Sequence, residues 1–137
     1  MRTSIILGGL LLALFSVLLG AFGAHALKNL VAPAKVAIFE TGVRYQFMHG
    51  LALIILSLYS QQNESYPTIQ KSIKRVAQFF LTGCLFFSGS LYLLTLQPLF
   101  SFNYSKIIGP VTPLGGLFFM LGWASWIRLI WLHKVDK

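Results

Sequence analysis

The sequence predicts an all-α membrane protein: four transmembrane helices in a compact bundle, with a short interfacial helix between the first two. Three observations predict it. Of the 137 residues, 56% are hydrophobic and 10% are charged, whereas an ordinary soluble domain is about a quarter charged. A water-soluble fold of this length cannot hide so much apolar surface. The apolar residues gather in four runs, each read as a helix because a single segment in lipid must satisfy its own backbone hydrogen bonds. The basic residues stand at the edges of those runs. The formal net charge of +8 would otherwise point to nucleic acid. Charges at run edges, instead of on one helix face, are the pattern of loops facing anionic lipid. The expected partner is therefore the bilayer, including anionic lipid at the basic loops, and not nucleic acid.

The length fits one domain, residues 1–137, with spans at about 3–26, 44–60, 76–97 and 113–132. The first run, Thr3 to Ala24, is long enough to cross. Arg2, the apolar Ile5–Leu19 and Ala24-His25-Ala26 also resemble a secretory signal peptide with a small-residue cleavage site. The run exceeds a usual signal core, and the three spans after it need no cleaved signal to insert, so the first span is expected to be retained.

The link Lys28–Arg44 is patterned. Val36, Phe39, Val43 and Phe47 recur at helical spacing, while Lys35, Glu40 and Arg44 take other faces. Glu40 and Arg44 are spaced to pair at i,i+4, and Pro33 suits the first turn of a helix. This predicts an interfacial helix running into the second span, with Gly42 as a bend. The alternative is that it forms the tilted start of a long second span. Tyr45 to Tyr59 is the apolar part of that span. Val76 to Leu96 makes the third, stopped by Pro98. After a mildly apolar link with Phe100, Phe102 and Tyr104, Thr112-Pro113 reads as an N-cap and first-turn proline opening the fourth.

Seven basic residues (Arg2, Lys71, Lys74, Arg75, Arg128, Lys134, Lys137) fall on the side of the termini, and four (Lys28, Lys35, Arg44, Lys106) on the other. The positive-inside rule then places both termini in the cytoplasm. Trp126 and Trp131 suit an interfacial belt at the inner end of the fourth span.

Alternation of direction brings the polar residues of all four spans towards the non-cytoplasmic half. The candidate cluster is His25, Arg44, Tyr45, Gln46, His49, Ser88, Ser90, Tyr92 and Thr112. Cys84, Ser88, Tyr92 and Thr95 form one stripe on the third helix, and Gln46 and His49 share a face of the second. Gly20, Ala24, Gly89, Gly115 and Gly116 are candidate helix-packing positions. Each has a plain alternative: serines and glycines in spans pack helices, Tyr92 is ordinary belt chemistry, and His25 can cap helix carbonyls. His49 is the hardest to set aside, being titratable and within a span.

Five blocks, Gly20–Leu27 (GAFGAHAL), Thr41–His49 (TGVRYQFMH), Phe87–Leu94 (FSGSLYLL), Thr112–Gly116 (TPLGG) and Gly122-Trp123, cover all four spans in order. Together they resemble the signature blocks of a small bacterial membrane-protein family known as domain of unknown function 423, or uncharacterised protein family 0382. The resemblance implies a small multi-pass protein of the cytoplasmic membrane. It implies no activity and carries over no catalytic residue.

Several function classes remain. One is a structural or interaction bundle that assembles with itself or with a membrane complex, its polar cluster serving as internal hydrogen bonding. Another is binding or transport of a small molecule, lipid or proton through that cluster, for which a dimer is expected because four spans are few for a transporter. A haem or metal protein using His25 and His49 has weak spacing support only, and no cofactor is expected. An enzyme is the least supported class. The three acidic residues, Glu40, Glu64 and Asp136, fall outside the expected spans, and no serine or cysteine has a recognisable nucleophile context. Cys84 is the single cysteine, so no intrachain disulfide forms and no redox compartment is assigned.

Overall fold

A computed structural model of the chain describes residues 2–100 and 103–135. Phe102, Asp136 and Lys137 lie outside them. The described elements are all helical: α1 (Arg2–His25), α2 (Pro33–Gln62), α3 (Pro67–Leu96), the single turn α4 (Ser105–Ile108) and α5 (Val111–Val135). Short 3-10 turns, Leu27–Asn29 and Gln97–Leu99, follow α1 and α3.

Pro33 and Pro67 each stand in the first turn of their helix, where a missing N–H costs nothing. α2 runs without a break through Gly42 to Gln62. The stretch from Pro33 to Arg44 is therefore the opening of one long helix instead of a separate element. α3 also starts early, because the polar link carries Ile69 and Ile73 at the spacing that continues into Val76, Ala77 and Phe80, and all five are buried. The stretches Thr3–Asn29, Pro67–Leu99 and Ser105–Leu132 are each long and apolar enough to cross a membrane. α2, with Lys35, Glu40, Arg44, Gln46 and His49 along it, does not meet that description.

The long helices pack in chain order, α1 on α2, α2 on α3 and α3 on α5. Neighbours are antiparallel, as Gly9 against Gly50 and Gly23 against Phe39 show for the first pair. The apolar core sits between α2, α3 and α5, around Leu53, Leu56, Ile73, Val76, Phe80, Phe119, Trp126 and Leu129, and α1 adds Ile5. On α5 the buried positions Gly115, Phe119, Gly122, Trp126 and Leu129 recur every three or four residues, which is one helix stripe. Leu7, Leu10, Leu11, Leu14, Phe15, Val17 and Leu18 leave α1 apolar over most of its circumference and exposed, a surface suited to lipid tails.

Glycines set how closely the helices approach. A Cβ on Gly9 would lie 2.7 Å from the Gly50 carbonyl oxygen. A Cβ on Gly115 would run into the Phe87 backbone, so α3 and α5 touch main chain to main chain there. Without a hydrophobic driving force between helices in lipid, such close contact is a main source of association.

α2 is stapled to α3 at both ends. At one end the Lys35 Nζ donates to the Leu94 carbonyl at 2.9 Å, and Thr95 Oγ1 donates to the Lys35 carbonyl at 3.1 Å. The ammonium thus meets the last carbonyls of α3, where the helix is partially negative. At the other end Gln70 Nε2 donates to the Ser60 and Asn63 carbonyls at 2.9 and 3.0 Å, and Ser60 Oγ donates to Gln70 Oε1 at 2.7 Å.

Candidate functional site

α2 turns one polar face inward through its middle, and that face carries Gln46 and His49, which are 7% and 3% exposed. Because α2 begins at Pro33, His49 lies about 24 Å along the axis from that end and about 20 Å from Gln62. It is at mid-height in the bundle.

His49 is held on every side. Its Nδ1 lies 2.8 Å from the Tyr45 carbonyl, one turn back on the same helix. The Trp123 indole N–H points at Nε2 from 3.2 Å. An indole only donates, so Nε2 is the acceptor and Nδ1 carries the proton that Tyr45 receives. The partners therefore assign the neutral Nδ1–H tautomer. The ring lies on Phe119 with centroids 3.6 Å apart and planes 8° from parallel, and the Phe80 ring meets it at 5.2 Å in a T-shape. Gly83 makes room for Phe119: a Cβ there would strike its ring. A Cβ on Gly122 would come within 2.6 Å of the Phe80 ring.

Gln46 ties three helices together. Its Nε2 donates to the Leu12 carbonyl of α1 at 3.1 Å, and its Oε1 accepts from the Tyr92 hydroxyl of α3 at 3.0 Å. Ser16 Oγ donates to the same Leu12 carbonyl at 2.7 Å. Gly42 seats the Tyr92 ring, since a Cβ there would lie 2.8 Å from it. Between α3 and α5, Ser90 Oγ and Thr112 Oγ1 share a 2.7 Å hydrogen bond, and the Ser90 hydroxyl also reaches the Phe87 carbonyl at 2.9 Å. Thr112 lies inside α5, which begins at Val111, so its hydroxyl joins helices.

The other expected positions are more peripheral. His25 ends α1 and is exposed, and the Asn29 side chain donates to its carbonyl at 3.1 Å. Arg44 is exposed with Glu40 along an open groove between α1 and α2. Tyr45 is 38% exposed but packs at a tilt against Phe87, with ring centroids 4.6 Å apart. Ser88 is fully buried, and among the described residues no partner meets the hydrogen-bond geometry of its hydroxyl. A Cβ on Gly20 would lie 3.6 Å from Val43, one on Gly116 would barely reach Phe87, one on Gly89 would meet nothing within 4 Å, and Ala24 is exposed. Of the expected packing positions Gly115 makes a tight approach, and Gly9, Gly42, Gly50, Gly83 and Gly122 make others.

His25 and His49 are thus in different surroundings, and both nitrogens of His49 are engaged. Among the described residues, no group of three or more His, Cys, Asp or Glu side chains gathers as a metal would need. Sequence reasoning missed Trp123 and Phe119 as partners of His49. The signal available was the α5 stripe of Gly115, Phe119, Gly122 and Trp126, which marks the face that meets the other helices.

Residues 19–116 match the family described as "Protein of unknown function (DUF423)". The chain is 38% identical to the UPF0382 membrane protein SH2409 of Staphylococcus haemolyticus, over 90% of each chain. It is 33% identical to the UPF0382 membrane protein YwdK of Bacillus subtilis, over 90% of this chain and 91% of that one. With the UPF0382 inner membrane protein YgdD of Escherichia coli it shares 37% identity, over 79% of this chain and 74% of that one. No solved structure matches. The helices long and apolar enough to span, with these relatives, make the chain a membrane protein that belongs to the DUF423 family.

Proposed function

We propose that the protein is a four-span bundle of the bacterial cytoplasmic membrane, with both termini inside, that acts as a structural or interaction element. α2 supports the fourth span. It is 30 residues long, reaches about 45 Å, and is packed along α1 on one side and α3 on the other. A helix between two membrane-crossing neighbours crosses with them. Its first turns, bearing Lys35, Glu40 and Arg44, then lie at the outer interface, where long basic side chains reach headgroups.

The observation that carries the structural role is the closure of the polar cluster on itself. Both His49 nitrogens, both ends of the Gln46 amide and the Ser90 and Thr112 hydroxyls are hydrogen-bonded within the protein. Buried polar groups that satisfy one another fix which helices meet and in what register.

The competing reading, binding or transport of a small molecule, lipid or proton through the same cluster, draws on Ser88, whose buried hydroxyl lacks a partner among the described residues. His49→Phe separates the two. The structural reading expects lower thermal stability and weaker assembly in detergent, with vesicles of wild type and variant showing the same background proton and solute leak. A bundle that stays intact while a wild-type flux vanishes would overturn it.

A further inference from the structure

We propose that the cavity between the start of α3 and the end of α5 is a binding site for the headgroup of an anionic phospholipid. The cavity has a volume of about 530 Å³. Arg75 of α3 and Arg128 of α5 both line it, with the hydroxyls of Thr68 and Ser125. Among the described residues, no carboxylate lines it. Arg75 and Arg128 are both exposed, and an anion entering the cavity between them is attracted by both. A phosphodiester is the matching shape, since the guanidinium fork binds two phosphate oxygens at once.

Pro67, Ile69, Leu129 and Leu132 make an apolar part of the wall, with Ser72 and Tyr66 beside it. Ile69 and Leu129 are buried core residues that form part of the lining. A charged half beside an apolar half fits a lipid, with its phosphate on the arginines and the first carbons of its acyl chains on the leucine and isoleucine. A soluble phosphate would leave the apolar half empty. The site stands at the end of the bundle that carries the chain termini, where the exposed Trp131 marks the membrane interface. The inference rests on the four-span reading but is independent of the role of His49.

The test uses the full chain reconstituted in nanodiscs of equal phosphatidylglycerol and phosphatidylcholine, with the lipid retained after extraction read by native mass spectrometry. Wild type should retain phosphatidylglycerol in at least about tenfold preference. Each arginine near the membrane surface contributes about a fivefold factor, so R75Q and R128Q should each lower the preference about fivefold, and K106Q at the opposite end should leave it unchanged. Size-exclusion profiles of the variants check that the bundle is intact, and the wild-type preference stands as a test should a variant fail to fold. Equal retention of the two lipids by wild type would overturn the site while leaving the bundle reading in place. Displacement of the retained lipid by millimolar inorganic phosphate would overturn the lipid assignment. Failure to enter nanodiscs at all would overturn both.

Discussion

The Trp123 indole N–H donates to Nε2 of His49 across 3.2 Å, joining residues 74 positions apart on α5 and α2. Trp123 is 43% exposed on the outer surface of the bundle, yet its one polar atom points inward. α2 and α5 are not neighbours along the chain order of packing, and each lies against α3. This hydrogen bond and the His49–Phe119 stack join them directly through side chains.

Gln46 should be more sensitive than either of its partners alone. Gln46→Leu removes the bridge from α2 to both the Leu12 carbonyl and the Tyr92 hydroxyl, and it strands that hydroxyl. A loss of about 1–3 kcal/mol is expected. Tyr92→Phe, which removes one bond and leaves the Gln46 amide to Leu12, should cost about 0.6–1.7 kcal/mol. Denaturant unfolding in micelles, followed by circular dichroism, orders the two.

Two glycines on facing helices should behave oppositely. Gly115→Ala drives a methyl group into the Phe87 backbone and separates α3 from α5, so the variant should lose several kcal/mol or fail to assemble. Gly89→Ala meets open space. It should be neutral or stabilising by up to about 1 kcal/mol, the helix preference for alanine. Melting temperatures of the two variants check this directly.

Ser88→Ala should not destabilise the bundle. The hydroxyl is buried without a partner among the described residues, so removing it relieves a desolvated polar group, and the expected change is between zero and about 1 kcal/mol in favour of the variant. A clear loss of stability, measured in the same unfolding assay, would mean that the hydroxyl is occupied in the membrane.

Lys28→Cys and Lys71→Cys report the orientation. Both positions are exposed, and Cys84 is buried, so it should stay unlabelled. An impermeant maleimide added to intact spheroplasts should modify the cysteine at position 28 and spare the one at position 71. The reverse pattern would place the termini outside.

Much of the fold was legible because lipid demands long apolar runs, and α1, α3 and α5 have them. α2 was harder to delimit. Lys35, Glu40 and Arg44 interrupt its apolar run, although Val36, Phe39 and Val43 kept the helical spacing. The beginning of α3 was hidden the same way, in a polar stretch where Ile69 and Ile73 are the buried apolar residues. The site was legible by residue type and not by partner. Gln46, His49, Ser90, Tyr92 and Thr112 stood out as polar residues in apolar surroundings. That Trp123 meets His49 depends on how α5 is rotated, which is set by Gly115 on Phe87 and by Phe119 entering the space left by Gly83. Contacts of that kind are distant in sequence and leave no local trace.

A double-mutant cycle on His49 and Trp123 tests most directly whether the cluster is internal bracing. Unfolding free energies are measured in micelles for wild type, H49F, W123F and the double variant. The expected coupling is about 0.6–1.7 kcal/mol, the range for interhelical hydrogen bonds in a membrane bundle, with both single variants less stable than wild type. Zero coupling, with H49F as stable as wild type, would contradict the bracing role and leave His49 free for another.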